Sequence, residues 1–191
     1  MKKRQPEKTP KKTHYFSRDL NGYFEFCSAL DHAANDLILP YQTPVFLCIG
    51  SDRMTGDCLG PLVGHKLKKL FPQEERIYGT LEHPVHAKNL LPVLRRIDSI
   101  HAHPFYIAID ASLGMEKHIG RITLSEGCLY PGEGVKKKLP SIGDLAITGI
   151  VNSCQGDSSL LLQNTRLHLV NELADFISQG IASGFADYLS F

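Results

Sequence analysis

Two aspartates stand where carboxylates can do chemistry. Asp57 closes the glycine-flanked run C-I-G-S-D-R-M-T-G-D-C-L-G-P, and Asp110 follows an apolar run in I-A-I-D-A-S-L-G. Two carboxylates on adjacent loops can share one proton, which leaves one group as base and the other as acid for activating water. The same pair would suit a divalent cation. For Asp57 the competing reading is structural, because an Asp at the start of a helix is a good N-cap stabilised by the helix dipole. For Asp110 a cap is less natural. A carboxylate closing a buried apolar run has to be paired, hydrogen-bonded or protonated. The Asp57 loop lacks the Gly-Lys-Ser/Thr of a Walker A motif and is not G-x-G-x-x-G, so nucleotide binding has no support.

Between the two acids lies G-T-L-E-H-P-V-H-A-K-N-L, with Glu82, His83 and His86 placed to border a substrate. The His-x-x-His spacing also admits a metal held by Asp57, Asp110 and His86. Pro84 argues against a regular helix presenting both rings together, and hydrogen-bonded structural histidines are the commoner case. A second candidate border is the glycine- and proline-rich loop 127–144, where Pro131, Gly132 and Gly134 precede Lys136, Lys137 and Lys138. Long loops of this kind serve as binding lids or are disordered. Cys58 adjoins Asp57, but no His or Asn partner is placed by sequence to activate it.

Positioning these residues falls to alternating elements. Apolar residues from Leu20 to Ile38 recur at helical spacing. Pro44 to Ile49 reads as a buried strand, Leu59 to Phe71 as a helix stopped by Pro72, and Arg76 to Leu81 as a short strand. Asn89 is a candidate cap for a helix to Ile100. Phe105 to Ile109 reads as a strand ending at Asp110. Gly120 to Leu124 and Leu145 to Val151 read as two more strands. Ser158 to Leu189 reads as one long helix bent near Gly180. Strand–helix alternation with fully apolar strands predicts an α/β fold in three layers, a mostly parallel central sheet with helices on both faces. The loops Gly50–Asp57, Glu82–Lys88 and Asp110–Lys117 then share the carboxyl edge, where ligands bind in such sheets.

The chain has 191 residues, 42% of them hydrophobic, enough for one real core. Residues 1–14 are expected to form a basic, disordered arm, and residues 15–191 a single domain. The arm carries Lys2, Lys3, Arg4, Lys8, Lys11 and Lys12 against Glu7, so a net charge of +1 hides a mildly acidic body. Basic residues are not interleaved with aromatics there, which argues against a nucleic-acid module. The apolar runs are too short to span a bilayer, no apolar stretch follows the basic start, and five cysteines without a C-x-x-C pair read as reduced thiols. A cytoplasmic protein without a membrane partner is expected.

The runs G-S-D-R-M-T-G-D-C-L-G-P, G-T-L-E-H-P-V-H-A-K-N-L, A-I-D-A-S-L-G, Y-P-G-E-G-V and I-T-G-I-V-N together resemble the YyaC family of sporulation proteins. More distantly the chain is similar to the spore germination protease, whose T-P-D-A-L-G-P and I-D-A elements map onto Thr55–Pro61 and Ile109–Ala111. Maturation proteases of nickel–iron hydrogenases look similar at the same two acids. The resemblance implies a phosphorylase/hydrolase-like fold and an aspartate-dependent peptidase acting on a protein or peptide in the mother cell or forespore. No cofactor is required on this reading, though a divalent metal is compatible with it. The alternatives are a non-catalytic protein-binding or chaperone-like factor on the same scaffold, and a metal-dependent hydrolase. A homo-oligomer stays open.

Overall fold

The computed structural model describes residues 12–131 and 141–189. The first element is a strand the hydropathy pattern does not announce, β1 (Thr13–Phe16), so Thr13 and His14 belong to the sheet rather than to the basic arm. Helix α1 (Leu20–Leu37) follows, its N-terminus capped by the Asp19 carboxylate, which accepts from the Gly22 amide at 2.8 Å. Then come β2 (Thr43–Cys48), a 3-10 turn (Gly56–Cys58), α2 (Leu59–Leu70), β3 (Ile77–Tyr78) and α3 (Leu90–Ile100). The remainder is β4 (Pro104–Gly114), a 3-10 turn (Glu116–His118), β5 (Ile122–Glu126), β6 (Leu145–Ser153), α4 (Ser158–Gln163) and α5 (Leu167–Gly184).

The six strands form one sheet in the order β1-β5-β6-β4-β2-β3. β3, β2, β4 and β6 pair in parallel, while β5 runs antiparallel to both β6 and β1. One face packs Phe46, Cys48, Ile107, Ile109 and Ile147 against apolar stripes of α1, α2 and α5. The other face packs Val45, Leu47, Ile49 and Ala108 against Leu90 and Ile97 of α3. Helices therefore cover both faces, as the buried strands require.

Three expected boundaries move. β3 keeps only two residues of the stretch Arg76–Leu81, because Gly79 turns to φ +86° and the Thr80 amide folds back to the His83 carbonyl at 3.2 Å. β4 does not end at Asp110 but runs on to Gly114, since β6 is long enough to pair it through a register shift between Ser112 and Leu113. The last helix breaks at residues 164–166 rather than bending at Gly180. There the Thr165 hydroxyl donates to the Leu161 carbonyl at 2.8 Å and competes with the helical ladder. Gly180 stays inside α5, where a Cβ would meet the Phe26 ring at 2.5 Å.

From β2 the chain moves outward to β3, then returns to place β4 on the opposite side of β2. This reversal makes the carboxyl ends of β2 and β4 a topological switch point, the crevice in which open α/β sheets bind ligands. The last residue of β2 to pair with β4 is Cys48, opposite Ile109, so the crevice opens at the level of Asp110.

Candidate active site

Asp57 reaches this crevice because α2 lies unusually close to the sheet. A Cβ on Gly60 would sit 2.0 Å from the Ile49 carbonyl oxygen, and one on Gly64 would sit 2.0 Å from that of Gly79. Only glycine lets helix backbone rest on strand backbone in this way. Gly50 completes the approach, with φ +141° and space for no Cβ against the Asp57 carbonyl. The Ser51 amide donates to that carbonyl at 3.1 Å and closes the loop on itself. The 3-10 turn bearing Asp57 packs against β4.

The capping alternative for Asp57 is not what the structure adopts. Asp57 lies inside the 3-10 turn, and the N-cap position of α2 belongs to Cys58, which makes no capping hydrogen bond. Burial pushes the half-buried Asp57 carboxyl above the usual carboxylate range, opposed by a hydrogen bond from the Ser51 amide and by the nearby His86 imidazole. Asp110 is buried, on the same face of the sheet as Ala108, and its Oδ1 accepts from the Ala111 amide at 2.7 Å. The neighbouring Cys58 thiol is pushed up by burial and then by Asp52 and Asp57, which disfavours the nucleophilic thiolate.

The loop carrying Glu82, His83 and His86 is tied to the same edge. Val85 forms a parallel bridge with Ile49, and its carbonyl accepts from the Gly50 amide at 2.8 Å. Only the end of this loop turns toward Asp57. His86 is half-buried and interacts with Asp57, whereas Glu82 and His83 are more than four-fifths exposed, with a loose 3.9 Å contact between them. Pro131 is buried at the base of the second loop, beside the Leu129–Ile142 bridge. That base lies against β4, since a Cβ on Gly143 would be 3.1 Å from the Ala108 methyl. Gly132, Gly134 and the three lysines after them fall outside the described residues.

Among the described residues, no group of three or more His, Cys, Asp or Glu side chains is placed to hold a metal ion.

Several supporting residues carry no legible signal in composition or spacing. Asn89 does not cap α3 with its side chain. It staples the histidine loop, accepting from the His86 amide at 2.8 Å and donating to the Pro84 carbonyl at 2.9 Å. Asn152, within the I-T-G-I-V-N run, donates to the Leu161 carbonyl at 2.9 Å and to the Thr165 hydroxyl at 3.3 Å. It thereby holds the α4–α5 junction, whose Leu162 and Thr165 press on Gly56, next to Asp57. Beside Asp110, Thr148 shares hydroxyl hydrogen bonds with Ser112 at 3.0 Å and Thr123 at 2.7 Å. The alternation of polar residues on β5 and β6 was the available clue.

The chain is 48% identical over 138 residues to "Uncharacterized protein YyaC" of Bacillus subtilis (strain 168), covering 72% of this chain and 67% of that one. Among solved structures it is similar to a [NiFe] hydrogenase maturation protease HycI from Thermococcus kodakarensis KOD1. That match has a TM-score of 0.47 and 16% identity, and covers 80% of this chain and 98% of that one. Residues 14–180 match the family described as "Protein of unknown function (DUF1256)", and the chain belongs to that family, as a relative of YyaC.

Proposed function

We propose that this chain is an aspartate-dependent peptidase of sporulating cells, in which Asp57 and Asp110 activate water against a peptide bond. The observation that carries the reading is the placement of both acids at the switch point, with burial holding Asp57 toward its protonated form. Two carboxyl groups in unlike surroundings divide acid and base roles between them. One carboxyl of the pair would donate a proton to the scissile carbonyl oxygen while the other takes one from the attacking water, and the raised Asp57 is the candidate donor. The exposed rim of Glu82 and His83, with His86 behind it, would border the substrate, together with Pro131 at the base of the second loop. The sporulation role rests on the resemblance of the sequence motifs to the YyaC family.

The test incubates wild-type protein and Asp57→Asn with soluble protein from sporulating cells and reads new peptide termini by mass spectrometry. Termini that appear with wild type alone support the peptidase and identify its substrate. Identical termini in both samples, from mildly acidic to neutral pH and with or without added divalent metal, would reject it in favour of a binding protein on the same scaffold.

A further inference from the structure

A cleft of about 780 Å³ runs along the outer edge of β3 and ends at the histidine loop. Its floor is an edge of the sheet to which no further strand is paired among the described residues, because β3 is last in the order. The Phe46 amide donates to the Arg76 carbonyl at 2.8 Å, and Phe46 pairs with Ile77 in parallel register. In a parallel ladder this turns the backbone groups of Arg76 and Tyr78 toward β2, and the N–H and C=O of Ile77 away from it, on the cleft side, where the residue keeps 5% of its surface exposed. An outward-facing donor and acceptor on an edge strand are a template for an added strand.

The walls give that strand a charge. α2 contributes His65, Lys68 and Lys69, and α3 contributes Arg96, against which Glu82 is the one carboxylate among the described residues lining the cleft. Lys69 and Arg96 are exposed. Lys68 is anchored by its ammonium donating to the Glu74 carbonyl, so its charge is held at the wall. Apolar contact is available from Val93 and Pro84 between the charges. The far end reaches the candidate active site, since His86 lines the cleft and Val85 binds the Gly50 backbone of the Asp57 loop.

We infer that this cleft binds an extended, acidic polypeptide segment, which pairs its main chain with Ile77 and sets its carboxylates against Lys68, Lys69 and Arg96. The inference deepens the peptidase reading by naming its substrate class, an acidic segment leading into the Asp57–Asp110 crevice. A main-chain pairing edge favours polypeptide over nucleic acid, which offers no matching amides.

Fluorescence anisotropy on the full chain tests it with four labelled probes: a peptide alternating Glu and Val, its Lys–Val counterpart, the Glu–Val peptide N-methylated at alternate residues, and a single-stranded oligonucleotide. The acidic peptide is expected to bind best. Its affinity is expected to fall about tenfold in the Lys69→Glu/Arg96→Glu variant and with added salt. N-methylation is expected to weaken it comparably. Equal binding of the lysine peptide, equal or tighter binding of the oligonucleotide, or indifference to N-methylation or to the double variant would overturn the inference. Since no turnover is read, binding without any cleavage rejects the peptidase and retains the cleft, while cleavage without binding here does the reverse.

Discussion

Replacing Gly60 with alanine tests whether helix-on-strand contact is what positions Asp57. The added Cβ would fall 2.0 Å from the Ile49 carbonyl oxygen and 2.7 Å from its nitrogen. Ile49 cannot retreat easily, because its amide donates to the Ile109 carbonyl at 2.7 Å and its neighbour Gly50 is bonded to Val85. Restoring an ordinary contact of roughly 3.2 Å therefore requires α2 to lift by about 1 Å. Overpacking against a rigid neighbour costs typically 1–3 kcal/mol, and the backbone contact on one side puts this site at the upper end. The helix gains about 1 kcal/mol when alanine replaces glycine, which leaves a net loss of about 2 kcal/mol. For a chain of this size that is a fall in Tm of roughly 4–8 °C. Asp57 sits one turn before Gly60, so the same lift displaces its carboxyl, and a displacement of about 1 Å can cost on the order of 100-fold in rate. Urea unfolding gives the first quantity and the termini assay the second, with Lys69→Ala as a control expected to stay within about 0.5 kcal/mol. A Gly60→Ala variant as stable as wild type, or more stable through helix propensity, would refute the close approach.

Asp57→Asn should alter the pH dependence of stability as well as turnover. Because the folded state holds the Asp57 proton more tightly than the unfolded chain, that contribution is complete below the ordinary carboxylate value and is lost as pH rises through the raised one. The variant lacks this loss, so its unfolding midpoint should gain on wild type from about pH 4 toward neutrality; parallel curves would contradict the burial account. Glu74 has the opposite sign. Burial alone would raise it, but hydrogen bonds from the Arg76 side chain and amide hold it below its ordinary value. Its stabilisation is present above the ordinary glutamate value and is lost as pH falls through the lowered one, and Glu74→Gln should cost about 2 kcal/mol at neutral pH in urea unfolding. Asn89→Ala removes both staples of the histidine loop and should cost about 1–2 kcal/mol, with faster amide exchange confined to residues 84–89; unchanged exchange there would show the loop is held by other means.

The parallel layers were legible because β2 and the first half of β4 are uninterrupted apolar runs, and the helices between them keep a strong 3.6-residue period. β1 escaped notice because a four-residue edge strand with exposed Thr13, His14 and Tyr15 has no hydrophobic period to detect. The extension of β4 past Asp110 depends on pairing with β6, a long-range contact that no local window contains. At the site, residue type and loop position were enough to name Asp57, Asp110 and the two histidines His83 and His86 as candidates. They could not separate His86 from His83, which lies three residues away in a similar setting. That distinction is made by the Val85 bridge and the Asn89 staples, which turn one ring inward and leave the other in water.

The two faces of the sheet are unequal, with α1, α2 and α5 packed over one and α3 alone over the other. Opening free energies in a folded chain track the apolar contact that each unit would lose. Asp57 is mounted on the deeply packed side, Asp110 lies on the thin face with Ala108, and the basic cleft is walled by α2 from one side and α3 from the other. The α3 layer is therefore expected to exchange its amides faster than the layer of α1, α2 and α5.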